Sequence, residues 1–200
     1  MTDVEPLQQA IERNDLEFLG NQFEAASVEL PSIIWQPSDN ELPAAELQLI
    51  HRYWRDLKGK RDLPLVREID ASDFWSIVGF VVLQDPVDGG RDFRVRLFGS
   101  YVADLAGIDM TGKLMSELPL PLFHRSFMIA CLRAVVRLQR PLMTILAIPP
   151  QSNVARWTRL ILPFAGDDGS VGRLLVLCLP GELRELAPEL RERFYRNVLR

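Results

Sequence analysis

The chain has 200 residues, of which 48% are hydrophobic and 25% charged, and its net charge is −4. This composition places it in the soluble globular class, as one domain of ordinary size with additional segments. No apolar run approaches the roughly 18–20 residues of a membrane helix, and the acidic N-terminus lacks the positive start of a signal peptide. We therefore expect a cytoplasmic protein without a membrane span.

Residues 1–40 form a predicted acidic arm and linker, with eight acidic residues and one arginine. Apolar residues between Leu7 and Phe23 recur at loose helical spacing, with two interruptions. This pattern is compatible with two short helices that pack on the domain or on a partner, and equally with partial disorder. The linker contains an apolar triplet, residues 33–35 (Ile-Ile-Trp), which we expect to dock on another surface.

The main domain is predicted in residues 41–180. It opens with an amphipathic helix over residues 44–57, whose apolar side chains form one stripe. Asp70 precedes a short helical piece and is interpreted as a helix cap, not as a catalytic acid. The tail in residues 181–200 is predicted to form a C-terminal helix, of which Pro188 can be the first residue.

Five strands are predicted from apolar alternation and flanking turns, in residues 80–85, 93–98, 141–149, 154–164 and 171–179. Two short helical segments and one long helix separate the second strand from the third. The fold class is therefore α+β: a five-stranded antiparallel sheet with helices on one face, plus the N-terminal helical arm and the C-terminal helix. Such an arrangement encloses a pocket between helix and sheet.

The order of elements resembles that of the PAS fold, and the sequence motifs resemble those of a family of stand-alone PAS-like proteins common in alphaproteobacteria. The resemblance covers about residues 46–180 and includes the segment around Asp70. It rests mainly on five motifs: YWRDL (53–57), LP (63–64), FRVRLFGS (93–100), LAGIDMTGK (105–113) and RLILPFAGDDG (159–169). It implies a signalling module whose leading helix packs on the sheet or on a second protomer, and hence a homodimer.

The pocket of such a module would take a small apolar or amphipathic molecule. Tyr101 is the expected polar contact, although its hydroxyl also suits a backbone partner. Ten residues are predicted to line the pocket: Leu97, Tyr101, Leu105, Leu114, Leu118, Phe123, Phe127, Cys131, Leu160 and Leu162.

Enzyme motifs are absent from the sequence, including those of serine hydrolases, zinc proteases and nucleotide-binding loops. We predict no enzyme, no catalytic residue and no metal site, and we expect Cys131 and Cys178 to be buried free thiols. No cofactor is assigned. His124 stands where some PAS domains carry a haem ligand, but a surface or capping histidine fits it equally, and the flavin-binding cysteine motif is not found between Gly107 and Leu118.

Arg94, Arg96, Arg156 and Arg159 lie on predicted strands and suggest a basic patch. On an acidic protein without interleaved aromatic residues, this pattern favours a solvated face, or ion pairs with a partner's acidic arm, over nucleic acid. Trp157 shares the Arg159 face and is a candidate interface anchor if that face is exposed.

Two hypotheses of function follow. The first is a non-enzymatic sensory or regulatory module that binds a small molecule and signals through a regulatory protein partner or its own dimer. The alternative is a ligand-free PAS interaction or dimerisation protein with a filled core, which works through the acidic arm and the Trp35 cluster. An open cavity would favour the first hypothesis, and a solid core the second.

Overall fold

The structure, a computed structural model, describes residues 4–149 and 153–183. These residues form an antiparallel sheet of six strands, β1 to β6 in chain order: Ser32–Trp35, Val81–Val87, Asp92–Phe98, Leu142–Ala147, Val154–Ala165 and Val171–Leu183. They also form five α-helices, α1 to α5: Val4–Arg13, Leu16–Ala25, Ala45–Lys58, Ser100–Ala106 and Leu122–Leu138. Within the described ranges, no helix combines the length and the apolar character needed to cross a membrane.

The strands lie side by side in the order β1-β4-β5-β6-β2-β3. The predicted α+β class with an antiparallel sheet is therefore confirmed, but the sheet has six strands where five were predicted. The additional strand, β1, pairs with the edge of β4, with Ile34 opposite Met143 and Trp35 opposite Leu142. The apolar triplet of the linker thus docks as an edge strand. A strand of four residues is too short for its alternation to be recognised without its partner.

Both faces of the sheet are covered. Helices α4 and α5 lie on one face, as the predicted arrangement requires. The side chains that point the other way along β5, such as Leu160 and Leu162, are also fully buried. Helix α3 contacts β5, and Trp54 of α3 donates a hydrogen bond of 2.7 Å from Nε1 to the Pro163 carbonyl. The apolar stripe of α3 is therefore buried within the chain.

The N-terminal arm is folded onto the domain as two short helices, which is one of the alternatives that the sequence left open. Helix α1 packs along α5, and the Phe23 ring of α2 meets the rings of Phe123 and Phe127 edge-on at centroid distances of 4.8 and 4.9 Å. Its acidic residues also find partners in the same chain, since Glu29 pairs with Arg156 at 2.6 Å. The arm and the sheet share one core.

The C-terminal end of the sheet extends further than the sequence predicted. Strand β6 continues to Leu183, whereas the alternation of apolar residues indicated an end at residue 179. The predicted C-terminal helix in residues 181–200 falls outside the described residues, apart from residues 181–183, which belong to β6.

Candidate functional site

The turn that leads from β3 into α4 is built around two glycines in close contact. A Cβ atom on Gly99 would lie 2.3 Å from the Gly79 carbonyl oxygen, and one on Gly79 would lie 2.3 Å from Cδ2 of Tyr101. The Tyr101 ring fills the space beside Gly79 and lies 4.9 Å from the Phe80 ring, between centroids. This contact fixes the first turn of α4, so that Val102 on the same helix faces the interior beside the sheet.

A cavity of about 290 Å³ lies between the sheet and the helices α4 and α5. The connection between these helices, which includes a 3-10 turn at Met115–Glu117, forms part of its wall. From the sheet and the residues after β4, the lining comprises Val82, Gln84, Phe98, Leu146, Ile148, Pro149, Trp157, Arg159, Val176 and Cys178. From the helices and their connection, it comprises Val102, Ala106, Ile108, Met115, Leu118, Pro119, Leu120, Pro121, Met128 and Leu132.

The strand register explains which side chains reach the cavity. Arg159 of β5 stands opposite Cys178 of β6, and Val82 of β2 stands opposite Val176 of β6, so these residues share one face of the sheet. Leu160 and Leu162 alternate with them and point to the opposite face. Leu97 pairs with Leu83 in β2, one position out of phase with Val82, and also faces away from the cavity. A shift of one residue along a strand moves every side chain to the other face.

Helix α5 shows a similar difference in phase. Phe123 and Phe127 were predicted to line the pocket, but they pack against Phe23 of the arm. The side of α5 that faces the cavity carries Met128 and Leu132 instead. Two neighbouring stripes of α5 are apolar because the helix lies between the arm and the sheet, and the sequence did not distinguish them.

Of the ten predicted pocket residues, Leu118 lines the cavity and nine do not. Tyr101 packs on Gly79, as described above. Leu105 and Cys131 are buried beside the cavity, and Leu114 is half-buried. Ligand contacts through these nine residues stay a prediction from sequence, without support from the shape of this cavity.

Two buried polar side chains, which the sequence did not assign to the pocket, lie in the apolar lining. Arg159 is 4% exposed, and its Nε and Nη2 have no hydrogen-bond partner among the described residues. Gln84 is 3% exposed, and its Oε1 is similarly unpartnered in the described part of the chain. Buried polar groups normally find a partner, so both side chains are candidate contacts for a ligand.

The groups that surround Arg159 on the sheet carry no negative charge. Thr144 of β4 and Cys178 of β6 stand directly opposite it, and Cys131 of α5 lies against its guanidinium group. Burial raises the pKa of Cys131 to about 11 and that of Cys178 to about 12, so both thiols are neutral at pH 7. No carboxylate among the described residues forms an ion pair with Arg159.

The predicted basic patch does not form, since Arg159 is buried. Arg96 pairs with Asp85 at 2.7 Å, Arg156 pairs with Glu29, and Arg94 donates to the Gly112 carbonyl. Trp157 faces the cavity with Arg159 and is therefore not an exposed interface anchor. The sequence held a signal for this placement, because both strands that flank β5 are almost wholly apolar.

His124 does not line the cavity. It is 6% exposed, its Nδ1 has no hydrogen-bond partner among the described residues, and its ring interacts with the Ala147 backbone of β4. Burial lowers the pKa of His124, although the contact with Ala147 opposes this shift. A haem ligated by His124 thus has no support from the cavity, and the described residues include no cluster of three or more potential metal ligands.

A PAS-type sheet that encloses an apolar cavity under short helices defines a small sensory or regulatory module. The chain belongs to the PAS domain family, which it matches over residues 43–178. PAS domains are typically sensory modules without catalytic activity.

No curated protein matches the sequence. Among solved structures, the chain resembles an RNA-binding Light-Oxygen-Voltage receptor with 12% sequence identity and a TM-score of 0.41. The match covers 78% of this chain and 39% of that receptor chain. At this degree of likeness, no inference about light or RNA passes to the present protein.

Proposed function

We propose that the protein is a non-enzymatic sensory PAS module that binds a small apolar or amphipathic molecule in the cavity between the sheet and helices α4 and α5. The observation that carries this proposal is the cavity itself, which the side chains of the described residues leave unfilled. Its volume of about 290 Å³ is near the lower limit of ligand pockets, roughly 300–1,000 Å³. A core packed solid, as the alternative hypothesis requires, would contain no space of this size.

Helix α5 offers a route by which a bound molecule is sensed elsewhere. Met128 and Leu132 touch the cavity, while Phe123 and Phe127 on the neighbouring stripe contact Phe23 of the arm. A ligand that shifts α5 also shifts its contacts with the arm, because packed helices move as rigid bodies. We propose that the arm transmits occupancy of the cavity to a protein partner.

Val176→Phe tests the cavity, because it adds a ring on the central strand β6 where the cavity has free space. We expect neutral decanol to raise the thermal midpoint of unfolding of the wild-type protein, since a ligand that binds the folded state stabilises it. In Val176→Phe, decanol gives no such rise. Leu49→Phe, at an exposed position of α3, is the matched control and keeps the response.

Native mass spectrometry and an absorption spectrum of the freshly purified protein complement this test. A retained small molecule supports the sensor and gives its chemical class. An empty chain at the calculated mass, together with no response of the wild-type protein to decanol, overturns the proposed function.

The second candidate function is a ligand-free interaction or dimerisation protein. One observation favours it: Trp75 is 75% exposed, and large exposed aromatic residues are frequent anchors of protein interfaces. A homodimer needs a surface of this kind, because the stripe of α3 is already buried within the chain. Light scattering of the wild type and of Trp75→Ser tests this function. A dimer that Trp75→Ser dissociates supports it, and a monomeric wild type contradicts it.

A further inference from the structure

The unpartnered atoms of Arg159 form one edge of its guanidinium group. Nε and Nη2 lie side by side and present two parallel N–H donors, a geometry that fits the two oxygens of a carboxylate. The same protein shows this edge in use, since Arg173 donates from Nε and Nη2 to Asp85 at 2.6 and 3.0 Å. At Arg159 the equivalent edge lies in the cavity wall and has no partner among residues 4–149 and 153–183.

A buried cation without a counterion is costly, and the residues around Arg159 do not offset its charge. The surrounding groups are a hydroxyl and two thiols, of Thr144, Cys131 and Cys178. The Thr144 hydroxyl is itself buried and unpartnered among the described residues. Thr144 stands opposite Arg159 on the adjacent strand but does not line the cavity, so the Nε and Nη2 edge of Arg159 is the donor that faces a ligand.

We infer that the cavity binds an amphipathic monocarboxylate, with its carboxylate on the Nε and Nη2 edge of Arg159 and its apolar body along the cavity. This inference rests on the proposed function and specifies the ligand of that same site. Trp157, Val176 and Leu132 provide apolar surface for the body of the molecule.

The volume of the cavity sets the size of this molecule. A cavity of about 150 Å³ holds one benzene, so the cavity of about 290 Å³ holds roughly twelve non-hydrogen atoms. Decanoate has this number of non-hydrogen atoms. Gln84 stands opposite Leu174, four residues along β6 from Cys178, which places it about 13 Å from Arg159 in the strand direction. The lining also continues past Arg159 in the other direction to Trp157 and Ile148, so the cavity has apolar surface on both sides of its cationic group and a neutral polar end at Gln84.

Titration calorimetry with decanoate and with decanol tests the inference, because the two ligands share their chain and differ in the charged group. We expect decanoate to bind the wild-type protein about 10- to 100-fold more tightly than decanol, the range for hydrogen bonds to a charged group. In Arg159→Met, the affinity for decanoate falls to that for decanol. Arg156→Met, which removes an exposed arginine from the same strand, keeps the preference for decanoate.

The outcomes separate this inference from the proposed function. Equal affinities of the wild-type protein for decanoate and decanol overturn the inferred recognition of a carboxylate. The proposal of an apolar ligand site is then still supported. The inference is also overturned if Arg159→Met still binds decanoate more tightly than decanol. Binding of decanol to this variant shows that the variant is folded. Binding of neither ligand overturns both the inference and the proposed function.

Discussion

Trp35 donates a hydrogen bond of 3.0 Å from its indole Nε1 to the carbonyl oxygen of Ile11, and so joins strand β1 to helix α1. The same two elements are held to the domain separately, because β1 pairs with β4 and α1 packs along α5. The arm is therefore part of the hydrophobic core. Its removal would expose the apolar side of α5.

The Phe23 ring should be the main anchor of the arm. Phe23→Ala removes a side chain that is 1% exposed and contacts two other rings, so we expect a loss of about 3–5 kcal/mol in the free energy of unfolding. Urea denaturation followed by circular dichroism measures this loss. Leu16→Ala, at the start of the same helix and 50% exposed, is the control and should have little effect. Similar losses in both variants would show that Phe23 is not anchored in the core.

Asp85 joins three strands, since it accepts hydrogen bonds from Arg173 of β6 and Arg96 of β3 while it lies on β2. Burial alone would raise the pKa of Asp85, but the two guanidinium groups outweigh this effect and hold the pKa below its usual range. Asp85→Asn removes the charge and should lower the free energy of unfolding by about 1.5–3 kcal/mol at pH 7.

The control for Asp85 is Asp88→Asn, which breaks a surface pair with Arg91 on the turn that follows β2. Solvent screens that pair, so the urea midpoint should barely change. If Asp88→Asn were as destabilising as Asp85→Asn, the effect would come from the turn and not from the ion pairs between strands.

The sequence predicted the fold better than the site, for a physical reason. Turns and strand alternation are local, and they gave the five PAS strands and the order of the helices. Strand β1 depends on a partner more than 100 residues away, so local alternation could not reveal it. The pocket depends on which of two apolar faces points inward. Leu160 and Arg159 are adjacent in sequence and point to opposite faces of the sheet. If Leu160 is assigned to the cavity instead of Arg159, the cavity is placed on the wrong face.

Gly79 and Gly99 should tolerate no side chain. Gly99→Ala would place a Cβ atom 2.3 Å from a backbone oxygen, which cannot move without a shift of the chain before β2. We expect a loss of at least about 3 kcal/mol, at the upper end of the range for overpacking. Gly20→Ala, within α2 and with no atom closer than 4 Å, should instead stabilise the protein by about 0.5–1 kcal/mol, because alanine favours helix. Thermal unfolding of both variants shows whether the two changes in stability have opposite signs. A Gly99→Ala variant as stable as the wild type would contradict the close contact.

The two histidines should make the protein less stable in mild acid. Burial is the main cause that lowers the pKa of both His51 and His124 in the folded protein, although Asp39 opposes the shift at His51. In the unfolded chain, both titrate near pH 6.5. As the pH falls below about 6.5, the unfolded chain binds protons that the folded protein does not, so the free energy of unfolding decreases with falling pH. Asp85 stays charged in this range because its pKa is lowered.

His124→Gln should therefore reduce the loss of stability between pH 7 and pH 5, since glutamine is polar but does not titrate. Urea denaturation at pH 7, 6 and 5 measures the slope for the wild type and the variant, and the difference between the slopes is the contribution of His124. His51→Gln gives the corresponding contribution of His51, whose pKa is also lowered mainly by burial, with Asp39 opposing the shift. A slope that His124→Gln leaves unchanged would mean that this imidazole is accessible to protons in the folded protein, in contradiction to its burial beside β4.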